Sequence, residues 1–293
     1  MNIPSSPTSQ VDSHILPYSI SFTIIRSMRP DERRQARERR EKIAAFQRGS
    51  TEGPLPDFVV IGAQKGGTSF FYNLLTRQPS FKPAPVKEIH FFDKRFAEGV
   101  GWYRRCFSES ARVDGQRTLT GEATPSYLFD PQVPERMAQV VPHARLIALL
   151  RNPVDRAYSH YQMQVRRGKE ARSFEGATEE EMALAEGRGK AVKKASSYLS
   201  RGLYAEQLER FSFFAARNRL LVLKSEDFFS RRSEVLGKVF RFLEVPIVRS
   251  KDVQPAGRES YDPIDPATRR RLERFFAPHN ERLYDLLSTY FGW

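Results

Sequence analysis

The stretch Phe58-Val59-Val60-Ile61-Gly62-Ala63-Gln64-Lys65-Gly66-Gly67-Thr68-Ser69 decides the fold of this 293-residue chain. A short, continuous apolar run leads into a glycine-rich turn, and an apolar helical pattern continues from Thr68 to Arg77. A turn of this kind presents unpaired N–H groups and the positive end of a helix dipole. The stretch therefore predicts an anion site, at which Lys65 adds a charge and Thr68 and Ser69 add hydroxyl groups. A tight turn without a ligand is the simpler alternative, but it does not explain the lysine and the hydroxyl groups, which are not needed for packing.

The loop differs from the nucleotide triphosphatase motif G-x-x-x-x-G-K-[ST]. Gly62 and Gly67 have its spacing, but Thr68 stands where that motif has lysine, and the lysine comes earlier, at Lys65. The sequence also has no convincing apolar strand that ends in a magnesium-binding aspartate. We therefore expect the loop to hold a phosphate-like group in a manner that departs from the ATPase pattern.

Two further apolar runs, 146–150 and 220–223, are continuous rather than alternating. Continuous runs are typical of parallel strands that are covered on both faces. A helix is expected after each of them, from Pro153 to Val165 with Asn152 as its N-cap, and from Phe229 to Leu243. Strands that alternate with helices predict an α/β domain with a central parallel sheet flanked by helices.

The remaining segments are mainly polar. Phe174 to Phe214 is expected to be largely helical, and a last amphipathic helix is expected to start at Asp265 and Pro266. Residues 1–53 are expected to form an extension, with the folded domain at 54–293. Arg29 to Arg48 carries eight basic and four acidic residues, which predicts a solvated helix or a disordered arm. An arm that binds nucleic acid or a membrane is the alternative.

The net charge of +13 favours an anionic partner without choosing among nucleotides, polyanions, nucleic acid and acidic membranes. Cys106 is the single cysteine, so an internal disulfide is excluded and a reducing, cytoplasmic location is expected. The partly apolar segment 15–25 is interrupted by polar residues and is shorter than the roughly 20 residues that span a bilayer. We expect no membrane span.

Candidate chemistry lies at two further places. Arg151 follows the second strand, where ligands collect in open α/β sheets, and its guanidinium suits a second phosphate; a surface pair with Asp155 is the alternative. Glu88 stands beside apolar and aromatic residues, which suits a general base, although a structural carboxylate would also fit. His90, taken alone, is more typical of a satisfied core histidine.

Several motifs in fixed order resemble the sulfotransferases of the heparan sulfate (glycosaminoglycan) type, which use 3'-phosphoadenosine 5'-phosphosulfate (PAPS) as donor. The resemblance covers roughly residues 55–293 and is far more specific than any single motif. The motifs are GAQKGGTSFFYNLL, KEIHFFD, GWYRRCF, GEATPSYLFD, LLRNPVDRAYSHY, RGLYAEQLERF, PAGRESYDPIDP and FFAPHNERLYDLLSTYFGW.

The resemblance implies a P-loop-like sulfotransferase fold and a role for each matched residue. Glu88 would be the catalytic base, and His90 would lie in the same substrate-facing motif. The remaining matched residues would bind PAPS, with Lys65 also acting on the transferred sulfuryl group. They are Lys65, Gly66, Gly67, Thr68 and Ser69 around the 5'-phosphosulfate, Arg151 and Ser159 on the 3'-phosphate, and Gly257 and Arg258 in a late loop over the adenosine phosphate.

The chain departs from the family pattern at two positions. Ala123 and Ala256 stand where lysine is common, and each change removes a positive charge near the expected donor or acceptor. The cysteine pair and the membrane anchor of the eukaryotic relatives are also not found, which favours a cytoplasmic, bacterial-like relative.

The predicted function is transfer of a sulfuryl group from PAPS to a hydroxyl or amine acceptor, either a carbohydrate or a small metabolite. No metal and no nucleic acid are expected as partners. The alternatives are a P-loop-like nucleotide kinase or NTPase, and a non-catalytic protein that binds polyanions.

Overall fold

A five-stranded, all-parallel sheet in the order β2-β5-β1-β6-β7 forms the centre of the protein. The structure is a computed structural model, and it describes residues 30–48, 53–109, 112–113, 115–185, 197–246 and 261–293. The strands are β1 Phe58–Gly62, β2 Phe81–Pro83, β5 Leu119–Ala123, β6 Arg145–Leu150 and β7 Leu220–Lys224, and a small hairpin joins β3 Arg112–Val113 to β4 Gln116–Arg117.

Helices pack on both faces of this sheet. The α-helices of the described residues, α1 of which begins in a separate compact unit, are α1 Pro30–Arg48, α2 Thr68–Thr76, α3 Phe91–Lys94, α4 Gly99–Arg104, α5 Val133–Val140, α6 Pro153–Arg166, α7 Phe174–Ala185, α8 Tyr204–Glu209, α9 Ser212–Ala215, α10 Ser225–Ser230, α11 Arg232–Leu243 and α12 Pro266–Leu287.

Alternate residues of each central strand enter different hydrophobic cores. Val59 and Ile61 pack into the core on one face, while Phe58 and Val60 pack into the core on the other. All four side chains are fully buried. The three apolar runs are therefore adjacent parallel strands, as the sequence predicts, because neither face of the sheet meets water.

Strand β5 is not predicted from the sequence, because Leu-Thr-Gly-Glu-Ala is neither a continuous apolar run nor a clean alternation. It pairs with β1 from Phe58–Gly121 to Val60–Ala123. A Cβ at Gly121 would lie 2.5 Å from the carbonyl oxygen of Phe58, so only glycine fits against β1 at this point.

Most predicted helix boundaries are confirmed, and one is wrong. The side-chain oxygen of Asn152 accepts hydrogen bonds from the N–H groups of Val154 (3.0 Å) and Asp155 (3.2 Å), as an N-cap does. The single helix expected from Phe229 to Leu243 is instead two helices, α10 and α11. They are separated at Arg231, whose φ of −127° and ψ of 47° leave the helical region.

The chain divides into two compact units, Met1–Glu41 and Lys42–Trp293. In the first unit, α1 carries the exposed pairs Arg34–Glu38 and Arg37–Glu41 at 3.5 and 2.6 Å. The second unit takes in the rest of α1, because Ile43 is only 2% exposed within the core. The start of the folded domain at Pro54 stays a prediction.

Candidate active site

The carboxyl ends of β5, β1 and β6 lie side by side and bring the predicted site residues to one edge of the sheet. In the parallel register, Val60 pairs with Ala123 on one side and with Ile147 on the other. β1 leads into the loop 63–67, and β6 ends one residue before Arg151. Ligands bind at this edge in open α/β sheets.

The backbone of the loop after β1 requires its two glycines. Ala63 N–H donates to Leu149 O at 2.8 Å, and Gly66 N–H donates to Ala63 O at 2.9 Å. A Cβ on Gly66 would lie 2.5 Å from Leu149 O. Gly67 has a φ of 87° as the N-cap of α2. The close approach and the left-handed turn explain both glycines and leave the helix N-terminus at the edge of the sheet.

Lys65 occupies the middle of this loop with a φ of 69°, in the left-handed region that favours glycine. Such a conformation at a non-glycine residue costs of the order of 1–3 kcal/mol and is concentrated at functional sites. Two hydroxyl-bearing residues follow in the first turn of α2, with Thr68 buried and Ser69 exposed. The local geometry thus matches the anion loop that the sequence predicts.

Arg151 lies against the same loop. Its Nη1 donates to Lys65 O at 3.3 Å, and its own carbonyl accepts a hydrogen bond from the Tyr204 hydroxyl at 2.8 Å. Asp155, the alternative partner considered for Arg151, is paired instead with Arg269 at 2.6 Å. Ser159 is buried two turns along α6. The fold therefore brings Lys65 and Arg151 together from distant parts of the sequence.

A strong positive field surrounds α6. Arg156 is fully buried, and one of its terminal nitrogens donates to Tyr198 O. Burial, and after it the positive charges of Arg156, Arg201 and Lys65, lower the pKa of His160 to about 2. Burial disfavours a charge of either sign, whereas the positive charges favour an anion near this helix.

Glu88 and His90 form a hydrogen-bonded cluster beside β5. The Glu88 N–H donates to Ala123 O at 2.9 Å, which holds the segment at the end of the strand. Lys87 Nζ lies 3.1 Å from Glu88 Oε1, and His90 Nε2 lies 3.5 Å from Glu88 Oε2. His90 Nδ1 lies 3.0 Å from Asp93 Oδ2. The imidazole thus stands between two carboxylates.

These contacts keep the Glu88 carboxyl ionised. Burial opposes its charge, but the hydrogen bond from His90 and the charge of Lys87 outweigh burial and hold the pKa of Glu88 well below its usual range. Burial likewise disfavours the charged form of His90, yet the hydrogen bonds to Asp93 and Glu88 raise its pKa. Glu88 has one third of its side chain exposed (34%) and is accessible to a substrate proton.

Sequence reasoning missed an open cleft next to the loop, in which Phe229 is the one aromatic lining residue among polar and charged ones. Ser225 Oγ donates to Gly66 O at 2.9 Å, and a Cβ on Gly67 would lie 2.9 Å from the Phe229 ring. Phe229 stacks on Phe70 with an angle of 10° between the rings. The cleft measures about 430 Å³ and is lined by Phe229 and residues 230–234. No sequence signal marks these residues, because β7 brings them to the loop from more than 150 positions away.

Two predicted donor residues, Gly257 and Arg258, lie outside the described residues, as does Ala256. Within the described ranges, no group of three or more His, Cys, Asp or Glu side chains could hold a metal ion. Among the helices of those ranges, none is both long and apolar enough to cross a membrane.

The strand, turn and helix place the lysine before the last glycines, which departs from the nucleotide triphosphatase motif. The comparison with known families agrees. The chain belongs to the sulfotransferase family: residues 55–261 match the sulfotransferase domain. It is a PAPS-dependent transferase, and membership of this family decides against both the kinase and the non-catalytic polyanion binder.

Individual relatives support the same family. A crystal structure of a sulfotransferase from Alicyclobacillus acidocaldarius is 30% identical, covers 80% of this chain and 96% of that one, and superimposes with a TM-score of 0.63. Human heparan sulfate glucosamine 3-O-sulfotransferase 6 is 29% identical over 262 residues, which cover 81% of this chain and 73% of the human protein. The membrane-associated sulfotransferase kil1 of Dictyostelium discoideum is 25% identical, and the match spans 82% of this chain and 66% of kil1.

Proposed function

We propose that this chain transfers the sulfuryl group of PAPS to a hydroxyl or amine of a glycan, with Glu88 as the general base. The observation that carries the proposal is the ionised, partly exposed Glu88 at the end of β5, one strand away from the anion loop that follows β1. Hydrogen bonding and a neighbouring cation keep this carboxylate ionised at neutral pH, so that it can accept a proton, and its lowered pKa makes it a weaker base than an unperturbed glutamate.

The donor is held by the loop and by the end of β6. Backbone N–H groups of Gly66 and Gly67, with Thr68 and Ser69, bind the 5'-phosphosulfate, and Lys65 neutralises its charge. Further donor contacts come from the 3'-phosphate partners Arg151 and Ser159 and from Gly257 and Arg258 in the late loop. The positive charges of Arg156, Arg201 and Lys65 near α6 favour an anion at this position.

The adenine ring of the donor packs against Phe229 in the cleft beside the loop. Phe229 touches the loop at Gly67 and also lines the cleft, so a nucleotide whose phosphate sits on the loop reaches this ring. A planar base stacks favourably on such an aromatic face.

The reaction is an in-line displacement at sulfur. The acceptor oxygen or nitrogen attacks the sulfur atom as its proton passes to Glu88, and the bond from sulfur to the bridging phosphate oxygen breaks. The electron pair of that bond stays on the phosphate, which leaves as 3'-phosphoadenosine 5'-phosphate. Lys65 and the loop N–H groups stabilise the charge that develops on this leaving oxygen.

A glycan acceptor is supported by the heparan sulfate glucosamine 3-O-sulfotransferases among the relatives and by the net charge of +13, which suits an acidic polymer. We also propose that the protein acts in the cytoplasm, as expected from its sequence.

The test is transfer of ³⁵S-labelled sulfate from PAPS to three acceptors: a heparan sulfate oligosaccharide, the same oligosaccharide with free amino groups, and a simple phenol. Mass spectrometry of the product locates the added group. We expect the glycans to be modified and Glu88→Gln to lose the activity. Transfer to the phenol but to neither glycan would contradict the acceptor class. Binding of PAPS with no transfer to any acceptor would contradict the catalytic assignment.

A further inference from the structure

Beneath the Glu88 cluster lies a second carboxylate, Glu122, that is fully buried on β5. Three hydroxyl groups donate to it. Tyr103 and Tyr127 donate to Oε1 at 2.8 and 3.0 Å, and Thr124 donates to Oε2 at 2.6 Å. Burial raises the pKa of Glu122, whereas the hydrogen bonds from Thr124, Tyr103 and Tyr127 oppose the rise.

Two of these hydroxyls also receive hydrogen bonds from the backbone that carries His90. Tyr127 Oη accepts from Phe91 N–H at 2.8 Å and from Phe92 N–H at 3.3 Å. Thr124 Oγ1 accepts from His90 N–H at 3.4 Å. Since both lone pairs of the Tyr127 oxygen are engaged, its proton must point to Glu122.

The segment held in this way has an unusual backbone. Glu88 and His90 both lie in the left-handed region, with φ angles of 64° and 59°. The N–H groups of Phe91 and Phe92 open the four-residue helix α3 and have no partner within it, because the first N–H groups of a helix never do. Strained residues persist only where their surroundings determine the conformation.

We propose that Glu122 is a positioning residue for the reaction: it orients the Thr124 and Tyr127 hydroxyls so that they hold the backbone of residues 90–92, and with it the Glu88–His90 pair. The proposal rests on the proposed function of Glu88. It assigns Glu122 no contact with donor or acceptor, because the side chain is fully buried.

Glutamine cannot replace Glu122 without loss. If its NH₂ group takes the Oε1 side, it faces the Tyr127 oxygen, whose lone pairs are already filled. If it takes the Oε2 side, it faces the Thr124 hydroxyl and leaves the proton of that hydroxyl without an acceptor. Either arrangement disturbs a contact to the segment 90–92.

Tyr103 provides a matched control. It donates to the same carboxylate, and its ring stacks on Phe91 at 4.3 Å, but among the described residues its hydroxyl makes no hydrogen bond to the segment 90–92. Tyr103→Phe keeps the ring and removes one buried hydrogen bond to Glu122. A purely structural role for the cluster predicts that Tyr103→Phe and Glu122→Gln behave alike, and the positioning role predicts that they differ.

The first measurement is steady-state sulfate transfer to the heparan sulfate oligosaccharide, with PAPS affinity from calorimetry and thermal unfolding as the folding control. We expect kcat to fall about 10- to 100-fold in Glu122→Gln and Thr124→Val, with unchanged PAPS affinity, because small displacements of reacting groups cost about this much. Tyr103→Phe should unfold at a lower temperature and keep its kcat. Equal losses of kcat in Tyr103→Phe and Glu122→Gln, or full kcat in Glu122→Gln, would overturn the proposal. If Glu122→Gln does not fold, the kcat of the nearly isosteric Thr124→Val provides the same test, and full kcat in that variant would overturn the proposal.

The second measurement does not depend on any acceptor. His90 faces Glu88, Asp93 and Lys94 directly, and its charge is coupled to Glu122. NMR titration of the His90 ring, assigned with His90→Asn, should show a pKa that falls in Thr124→Val, which removes no charge but loses the hydrogen bond from His90 N–H, and stays in Tyr103→Phe. An unchanged His90 pKa in Thr124→Val would refute the positioning role. Absence of transfer by the wild-type protein would instead refute the proposed function, and the titration would still decide on Glu122.

Discussion

Replacing Arg151 with alanine should abolish the preference for PAPS over adenosine 5'-phosphosulfate, which lacks the 3'-phosphate. Among the described residues, the Arg151 guanidinium makes one long bond of 3.3 Å to Lys65 O, near the limit for a hydrogen bond. Its removal therefore costs the loop little. A charge-assisted hydrogen bond from a half-buried arginine contributes about 1.5–3 kcal/mol, which corresponds to about 10- to 100-fold in affinity.

Calorimetry of both donors on wild type and Arg151→Ala provides the assay. Wild type should prefer PAPS strongly, because a site built for a charged group leaves polar groups unpaired when that group is missing. Arg151→Ala should lose affinity for PAPS alone and keep the weaker affinity for adenosine 5'-phosphosulfate.

Tyr204→Phe is the matched control for structural disturbance. It removes the hydroxyl that donates to the Arg151 carbonyl at 2.8 Å and leaves the guanidinium in place. We expect it to affect both donors to the same extent. If Arg151→Ala also weakens both donors equally, Arg151 is structural or contacts another part of the nucleotide, and the assignment to the 3'-phosphate fails.

Three further predictions concern the loop, the base and the start of the domain. Lys65→Ala should lower kcat about 10²- to 10³-fold and change PAPS affinity less, since its charge acts in the transition state; wild-type turnover would contradict this role. Glu88→Gln should fold normally and lose about 10²- to 10⁴-fold in single-turnover rate. Because the Glu88 pKa is lowered, the base stays ionised as the pH falls, so kcat/KM should stay flat from about pH 8 to about pH 5, whereas a decline with a midpoint above about pH 6.5 would identify His90, whose pKa is raised, as the base. A chain that begins at Pro54 should keep PAPS binding but lose about 2–5 kcal/mol of unfolding free energy in urea, since Ile43 is buried; Ile43→Ala in the full chain should lose a similar amount.

The sequence alone determined the parts of this protein that depend on local pattern. The continuous run before Gly62 indicates a buried parallel strand, and the glycines after it indicate an anion loop. Asn152 followed by proline indicates the start of α6. In each case a few neighbouring residues contain the whole physical reason, either the period of burial or the backbone angles that a residue permits.

Only the tertiary structure decided which of these parts meet. Strand β5 carries no strand pattern, yet it places Glu122 and Thr124 beneath the segment of Glu88 and His90. The approach of Arg151 to the loop, like the pairing of His90 with two carboxylates, depends on strand order. Burial, charge and hydrogen bonding act between groups that are close in space. Spacing along the sequence does not give that distance, because it depends on the order in which the strands assemble.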